Sequence, residues 1–137
     1  MSDEILTIKG RTDPGYGICI DSAESWIVAL NNAGPDSDPG NITFFGAHPN
    51  TDETFVLVTG KACIATAPPD NPEGFTVMPM EQGVCYNVRR STWHTVMMAP
   101  GAKVAICENR NPVGDRHDLS DDACARLEGE ARAILEG

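Results

Sequence analysis

The sequence has little positive charge, few aromatic residues and no long apolar run. Ten Lys and Arg stand against twenty Asp and Glu among 137 residues, which gives a formal net charge of −10. Nucleic acids bind basic surfaces that displace counterions from phosphates, and anionic membranes attract basic segments. The composition therefore argues against nucleic-acid and membrane partners.

Targeting segments and cysteine pairs are also missing. No apolar run approaches the roughly 20 residues that span a bilayer. The opening residues, MSDEILTIKGR, lack the basic start and apolar stretch of a signal peptide, which predicts a cytoplasmic protein. The five cysteines form no C-x-x-C pair, so we expect no disulfide framework or zinc ribbon. Most of them should be buried thiols, because free Cys behaves as a small apolar residue.

Turn-forming residues are abundant. Thirteen Gly and ten Pro separate short stretches of Val, Ile, Phe, Thr and Met, a pattern typical of many short strands. The predicted strands lie at about 4–9, 17–20, 25–30, 42–46, 54–59, 61–66, 74–79, 84–89, 94–99 and 103–109. This pattern predicts a sandwich or small barrel over about 1–112, within one domain spanning 1–137.

Two apolar patterns predict how parts of the chain are buried. The continuous run Phe55–Val58 predicts a strand covered on both faces. After Asp118 the apolar residues recur every four positions, which predicts an amphipathic helix over about 120–136 with Ser120 as its N-cap. Its apolar face should pack on the barrel or on a partner subunit. Four methionines are expected to fill the core: Met78, Met80, Met97 and Met98.

The residues around two histidines resemble the first cupin motif, G-x5-H-x-H-x4-E-x6-G. The chain matches this motif at Gly40, His48, Glu53 and Gly60, with Gly46 at the place of the first histidine. Residues five apart on a straight strand point to opposite faces, so His48 and Glu53 converge only if the chain bends between them. The intervening Pro-Asn-Thr-Asp sequence favours such a bend.

The second cupin motif, G-x5-P-x-G-x2-H, is matched further along the chain at Gly83 and His94. Arg89 and Ser91 stand in place of its proline and glycine. The resemblance implies an all-β, cupin-type double-stranded β-helix, or jelly-roll, barrel with a C-terminal α-helix.

A closer resemblance is to the ureidoglycolate lyase family, which is itself cupin-like. The strongest segments are Glu81–Tyr86 and Arg90–His94, which look like that family's E-Q-G-V-x-Y and R-x-x-W-H. Weaker similarity lies at Tyr16-Gly17, at His48-Pro49 with Phe55, and at Asn109-Arg110. The resemblance implies a carbon–nitrogen lyase acting on a small carboxylate, and, from family habit, a homodimer.

The residue types at the motif positions are those of a metal site. Two imidazoles and one carboxylate hold a divalent metal ion and leave positions open for water or substrate. His48, Glu53 and His94 are the candidate ligands, with Mn, Ni, Zn or Fe as candidate metals. Elimination of urea from a carbinolamide to leave glyoxylate needs a base, an acid and a cation for the carboxylate.

The resemblance places these roles on particular residues. Arg90 is expected to clamp the substrate carboxylate, with Arg89 as a second cation. His94 or Glu53 is expected to move the proton. The candidate substrate-binding residues are Arg90, Arg89, Tyr86 and Trp93.

Alternatives stay open at this point. Glu53 stands where the lyase family commonly has glutamine, which favours a metal-dependent cupin with different chemistry, such as an isomerase or a dioxygenase. A non-catalytic barrel that binds a small molecule is the third reading, because one fold hosts many functions. His117 has no identifiable partner and is expected at the surface.

Overall fold

A computed structural model describes residues 5–137, which form ten strands and one α-helix. Nine of the ten predicted strands are present. The strand predicted at 4–9 is not formed over 5–9, and residue 4 lies outside the described residues. One strand that was not predicted, over 115–118, lies between the last predicted strand and the helix. The elements are β1 (Gly15–Asp21), β2 (Trp26–Asn32), β3 (Phe44–Ala47), β4 (Glu53–Thr59), β5 (Ala62–Ala67), β6 (Thr76–Pro79), β7 (Cys85–Val88), β8 (Trp93–Met98), β9 (Lys103–Asn109), β10 (Asp115–Asp118) and α1 (Asp121–Leu135).

The strands form two five-stranded sheets. One has the order β1-β2-β9-β4-β7 and the other the order β10-β3-β8-β5-β6, with every strand pair antiparallel. Strands distant in sequence pair in both sheets, for example β4 with β9 and β3 with β8. These crossovers confirm the predicted jelly-roll barrel with a C-terminal helix.

Alternation along each strand builds the core between the sheets. On β4, Phe55 and Leu57 are buried against Val104 and Ile106 of β9. The prediction that Phe55–Val58 is covered on both faces is wrong, since the Val58 side chain is 49% exposed. Antiparallel sheets bury one face and can leave the other to solvent, and β4 follows that rule.

Helix α1 covers the outer face of the second sheet. Ser120 caps it as predicted, with its hydroxyl accepting a hydrogen bond from the Ala123 amide. The apolar stripe packs on Phe45 and Phe75, and comprises Leu119, Ala123, Leu127, Ala131 and Leu135. The helix therefore has no spare apolar stripe for a second subunit, and the homodimer stays a prediction.

Two smaller predictions need correction. Met78 is half exposed because β6 lies at a sheet edge, whereas Met80, Met97 and Met98 fill the core as expected. Only Cys63 among the five free cysteines is fully buried, and Cys85 and Cys107 are exposed. Those two lie on outward positions of β7 and β9, where alternation turns them away from the core.

His117 is not an unpartnered surface residue. It lies on β10, and its Nε2 is 3.0 Å from Glu73 Oε2. Ser120 adds its amide and hydroxyl to the same carboxylate, at 2.9 and 2.8 Å. The hydrogen bond from His117, together with those from Ser120, lowers the pKa of Glu73 to about 2. This cluster ties the 68–75 loop to β10 and the start of α1.

No helix among residues 5–137 is long and apolar enough to cross a membrane.

We expect Glu73→Gln to lower the free energy of unfolding at pH 7 and to lose that effect in acid. The pKa of Glu73 is lower in the folded protein than in the unfolded chain, so its stabilisation is complete above pH 4.5. That stabilisation is lost as the pH falls towards 2. Denaturant unfolding of both proteins from pH 7 to pH 3 measures the difference.

The matched control is Glu130→Gln, which removes an exposed pair with Arg126 on α1 and should change stability little. A difference between wild type and Glu73→Gln that does not shrink in acid would contradict the assignment.

Candidate metal centre

Three predicted ligands meet at one point inside the barrel. His48 directly follows β3, Glu53 begins β4, and His94 is the second residue of β8. Glu53 Oε1 lies 3.2 Å from His48 Nε2 and 3.0 Å from His94 Nε2. One ligand atom from each residue lies within 4.8 Å of the others.

The expected bend brings His48 and Glu53 together. The chain turns at Pro49-Asn50 between β3 and β4. Glu53 then points inward because it shares the alternation of Phe55 and Leu57 on β4. His94 points inward from β8 opposite Gly46 of β3.

Backbone carbonyl groups fix the orientation of both imidazole rings. His48 Nδ1 lies 2.9 Å from the Val113 carbonyl oxygen, and His94 Nδ1 lies 2.9 Å from the Thr92 carbonyl oxygen. A carbonyl oxygen only accepts, so each Nδ1 carries the proton and donates it. In a neutral ring, Nε2 then presents a lone pair to Glu53.

This arrangement fits a bound cation. Two Nε2 lone pairs and a carboxylate oxygen repel one another unless the rings are protonated or a metal ion lies between them. Metal-ligating histidines commonly donate their other ring N–H to a carbonyl or carboxylate, as both rings do here. The donor set and its orientation therefore suit a divalent metal ion.

Without a metal, Glu53 and His94 stabilise each other's charged forms. Burial alone would raise the pKa of Glu53, but the hydrogen bond and charge of His94 outweigh it and lower that pKa. Burial would lower the pKa of His94, but its bond to Glu53 and its bond to the Thr92 carbonyl raise it. Each charge is thus held in the barrel by the other.

A second carboxylate adjoins the three ligands. Glu108 of β9 lies directly opposite Glu53 of β4 and is 9% exposed. Burial and the negative charge of Glu53 raise the pKa of Glu108 to about 7. The Tyr16 hydroxyl donates to Glu108 over 3.3 Å, and burial with this carboxylate raises the pKa of Tyr16 to about 12.

Glu108 was not among the predicted site residues, although the sequence carries a signal for it. Val104 and Ile106 alternate with less apolar residues in the sequence and share the buried face of β9, and Glu108 is the next residue on that face. A carboxylate on the buried face of a strand needs a partner or a function.

The ligands line an open cavity of about 650 Å³ between the two sheets. Tyr16, Phe44, Gly46 and Phe55 are among the other lining residues, and none of the lining residues is Lys or Arg. At Gly46, where the cupin motif has a histidine, an added Cβ would have only the Asp115 carbonyl oxygen nearby, at 3.8 Å. The glycine leaves space beside the ligands.

Solved structures of other proteins share this arrangement of strands. Fe(II) HppE aligns with 80% of this chain at a TM-score of 0.53 and 18% identity, over 58% of its own chain. Oxalate decarboxylase from Bacillus subtilis, a protein with Mn(II) centres, aligns with 82% of this chain at a TM-score of 0.54 and 17% identity, over 30% of its own chain. Peruvianin-I, a cysteine peptidase from Thevetia peruviana latex, aligns with 70% of this chain at a TM-score of 0.51 and 16% identity, over 58% of its own chain. This chain therefore spans less than two-thirds of each of them.

The chain has the cupin fold. No protein-family model and no curated protein sequence matches it. The three solved structures have different activities by name, so the likeness shows the fold and not the reaction. The closer resemblance to ureidoglycolate lyases stays a prediction.

The predicted substrate-binding residues lie outside the cupin cavity. Arg89 and Arg90 are exposed in the turn after β7. The Tyr86 hydroxyl accepts a hydrogen bond from the Glu81 amide, and Trp93 Nε1 donates to the Pro69 carbonyl. None of the four lines the cavity with the three ligands.

The turn that carries Arg90 has a structural role beside the ligands. Asp52 accepts hydrogen bonds from the Arg90 amide at 3.0 Å and from the Asn87 side chain at 3.1 Å. Ser91, at the motif's glycine position, has a φ of 66° and donates its amide to the His48 carbonyl at 3.1 Å. A left-handed conformation is costly for a residue with a Cβ.

We expect Ser91→Gly to raise the free energy of unfolding by about 0.5–1 kcal/mol, because glycine adopts a positive φ without steric cost. Thermal or denaturant unfolding measures the change. The matched control is Gly101→Ala, at a φ of 84° with open space around the Cβ, which should cost about 1 kcal/mol. Destabilisation by Ser91→Gly would contradict this account of the turn.

Proposed function

We propose that this protein is a metal-dependent enzyme that acts on a small carboxylate. His48, Glu53 and His94 hold one divalent ion, with Mn, Fe, Ni and Zn as candidates. The observation that carries the proposal is the convergence of three donor atoms within 4.8 Å, with both imidazole Nδ1 groups already engaged by carbonyl oxygens.

The donor set suits catalysis better than a purely structural role. Structural zinc sites are closed by four protein ligands, whereas three ligands leave positions for water and substrate. The bound ion would supply Lewis acidity to a substrate oxygen. Glu108, hydrogen-bonded by Tyr16, is placed to hold or release a proton beside that substrate.

Within this class, the sequence resemblance favours a carbon–nitrogen lyase. In ureidoglycolate cleavage the hydroxyl O–H loses its proton, the C–N bond breaks, and the departing urea nitrogen gains a proton. The products are glyoxylate and urea. Glu108 pairs with Glu53 beside the cavity. Its carboxyl group, whose pKa is raised to about 7, is suited to accept the hydroxyl proton and to return it to the departing nitrogen.

A second candidate is a metal-dependent cupin with oxidative or decarboxylating chemistry. It is favoured by the donor set of two histidines and one carboxylate, which is typical of Fe(II) oxygenases. HppE and oxalate decarboxylase, among the proteins of similar fold, are described with Fe(II) and Mn(II).

Metal binding should stabilise the wild type. We expect one divalent ion per chain and a rise in the unfolding free energy of about 2.7 kcal/mol when free metal is 100 times Kd. Calorimetry and thermal unfolding with Mn(II), Fe(II), Ni(II) or Zn(II) measure both quantities. His94→Ala should abolish the effect, and His117→Ala, which leaves the three ligands intact, should retain it. Wild type that binds none of the four ions would contradict the proposal.

The lyase reaction has its own assay. We expect the metal-loaded protein to release urea and glyoxylate in equal amounts from ureidoglycolate, and Glu53→Gln and His94→Ala to lose this release. His117→Ala serves as the active control. A metal-loaded wild type that releases neither product would exclude the lyase and leave the second candidate.

A further inference from the structure

A row of three residues crosses the inner face of the second sheet. His94 of β8 pairs with Gly46 of β3, and Gly46 pairs with Arg116 of β10. Directly paired residues of antiparallel strands point to the same face. Because His94 and Gly46 line the cavity, Arg116 lies on the cavity side of the edge strand.

Neighbouring residues confirm this direction. Trp93 and His117, one position away on β8 and β10, meet on the opposite face with ring centroids 5.9 Å apart. The Arg116 guanidinium carbon lies 3.9 Å from the centre of the Phe44 ring, and Phe44 lines the cavity. The guanidinium therefore lies over the Phe44 ring beside the cavity, and Gly46 separates Arg116 from His94 in the sheet.

Part of the Arg116 guanidinium is available to bind a ligand. Its Nε donates to Asp118 Oδ1 at 2.8 Å, and its two terminal nitrogens make no hydrogen bond within residues 5–137. The side chain is 59% exposed. Terminal N–H groups arranged as a fork match the two oxygens of a carboxylate.

The charge of the cavity makes this cation important. Glu53 and Asp36 line the cavity, Glu108 adjoins it, and no lining residue is Lys or Arg. An anion entering this space meets the carboxylates of Glu53 and Asp36 on the cavity wall, and the cations placed to offset them are the proposed metal ion and Arg116. A ligand with one anionic end can be held by the metal alone, but a second anionic end needs another cation.

We propose that Arg116 binds the distal carboxylate of a two-ended ligand whose other end lies at the metal centre. This proposal rests on the proposed function and narrows its substrate class to small acids with a second polar or anionic end. The absence of a side chain at Gly46 opens the path between the two ends.

The dimensions agree with a ligand of this kind. Neighbouring strands lie about 4.8 Å apart, so the Cα atoms of Arg116 and His94 are about 10 Å apart across Gly46. Both side chains extend from the same face of the sheet, and a separation of this order suits a short chain, such as a three- to five-carbon dicarboxylate. Binding at both ends would therefore select ligands by their length as well as by their charge.

The test uses the Mn(II)-loaded protein and a series of acids of increasing length. Calorimetry first measures Mn(II) binding, then the affinity for acetate, oxalate, malonate, succinate and glutarate. We expect at least one of the three longest acids to bind more tightly than acetate. Arg116→Ala should weaken that acid about tenfold or more and acetate less than twofold. Arg116→Lys should give an intermediate loss, since it keeps the charge but not the fork.

The matched control is Arg126→Ala, which removes an exposed arginine that also lies over a phenylalanine ring, that of Phe75, outside the cavity. This change should leave every affinity unchanged. Unchanged Mn(II) binding by Arg116→Ala shows that the variant is folded. Equal affinity of wild type and Arg116→Ala for all the acids, or no dicarboxylate binding by the Mn(II)-loaded wild type, overturns the assignment of Arg116 alone. Failure of wild type to bind Mn(II), Fe(II), Ni(II) or Zn(II) overturns the proposed function and this inference with it.

Discussion

The contact of one buried carboxylate oxygen with two imidazole nitrogens is the constraint on which the site depends. Glu53 Oε1 meets Nε2 of both His48 and His94 at 3.2 and 3.0 Å. Each ring is oriented from behind by a carbonyl oxygen, and the turn through Ser91 is bonded to the His48 backbone. Several separate loops thus hold three donor atoms on one point.

Electrostatics explains why this point needs a cation. Two carboxylates, Glu53 and Glu108, lie opposite each other in the barrel, each less than 10% exposed. Burying a charge is costly unless a partner compensates it. His94 and the Tyr16 hydroxyl provide part of that compensation within the chain, and a divalent ion would provide more. Arg116, beside the cavity, would compensate the negative charge of a bound ligand in the same way.

Local patterns predict most of the barrel, because Gly and Pro mark the turns and alternation marks the strands. They fail where pairing decides the structure. A strand was predicted at 4–9 because of the apolar residues Ile5, Leu6 and Ile8. The side chains of these residues are exposed, and residues 5–9 form no strand. β10 has the sequence DRHD, without an apolar residue, and exists because it pairs with β3.

The site shows the same division. The spacing of His48, Glu53 and His94 is readable because two motifs keep their order, and Glu108 is readable from alternation on β9. Arg90 attracts attention through its neighbours Trp93 and His94, but the turn carries it outside the cavity. The position of Arg116 beside Gly46 could not be predicted from the sequence, because it depends on the register of two strands that are distant in the chain.

The most direct test of the account is pulsed electron paramagnetic resonance of the protein loaded with one equivalent of Mn(II). Uniform ¹⁵N labelling and selective histidine labelling identify the ligand nitrogens. The account predicts couplings from two histidine nitrogens in wild type and no histidine-coordinated Mn(II) in His94→Ala. A bound Mn(II) that shows no histidine nitrogen coupling would contradict the assignment of His48 and His94 as ligands.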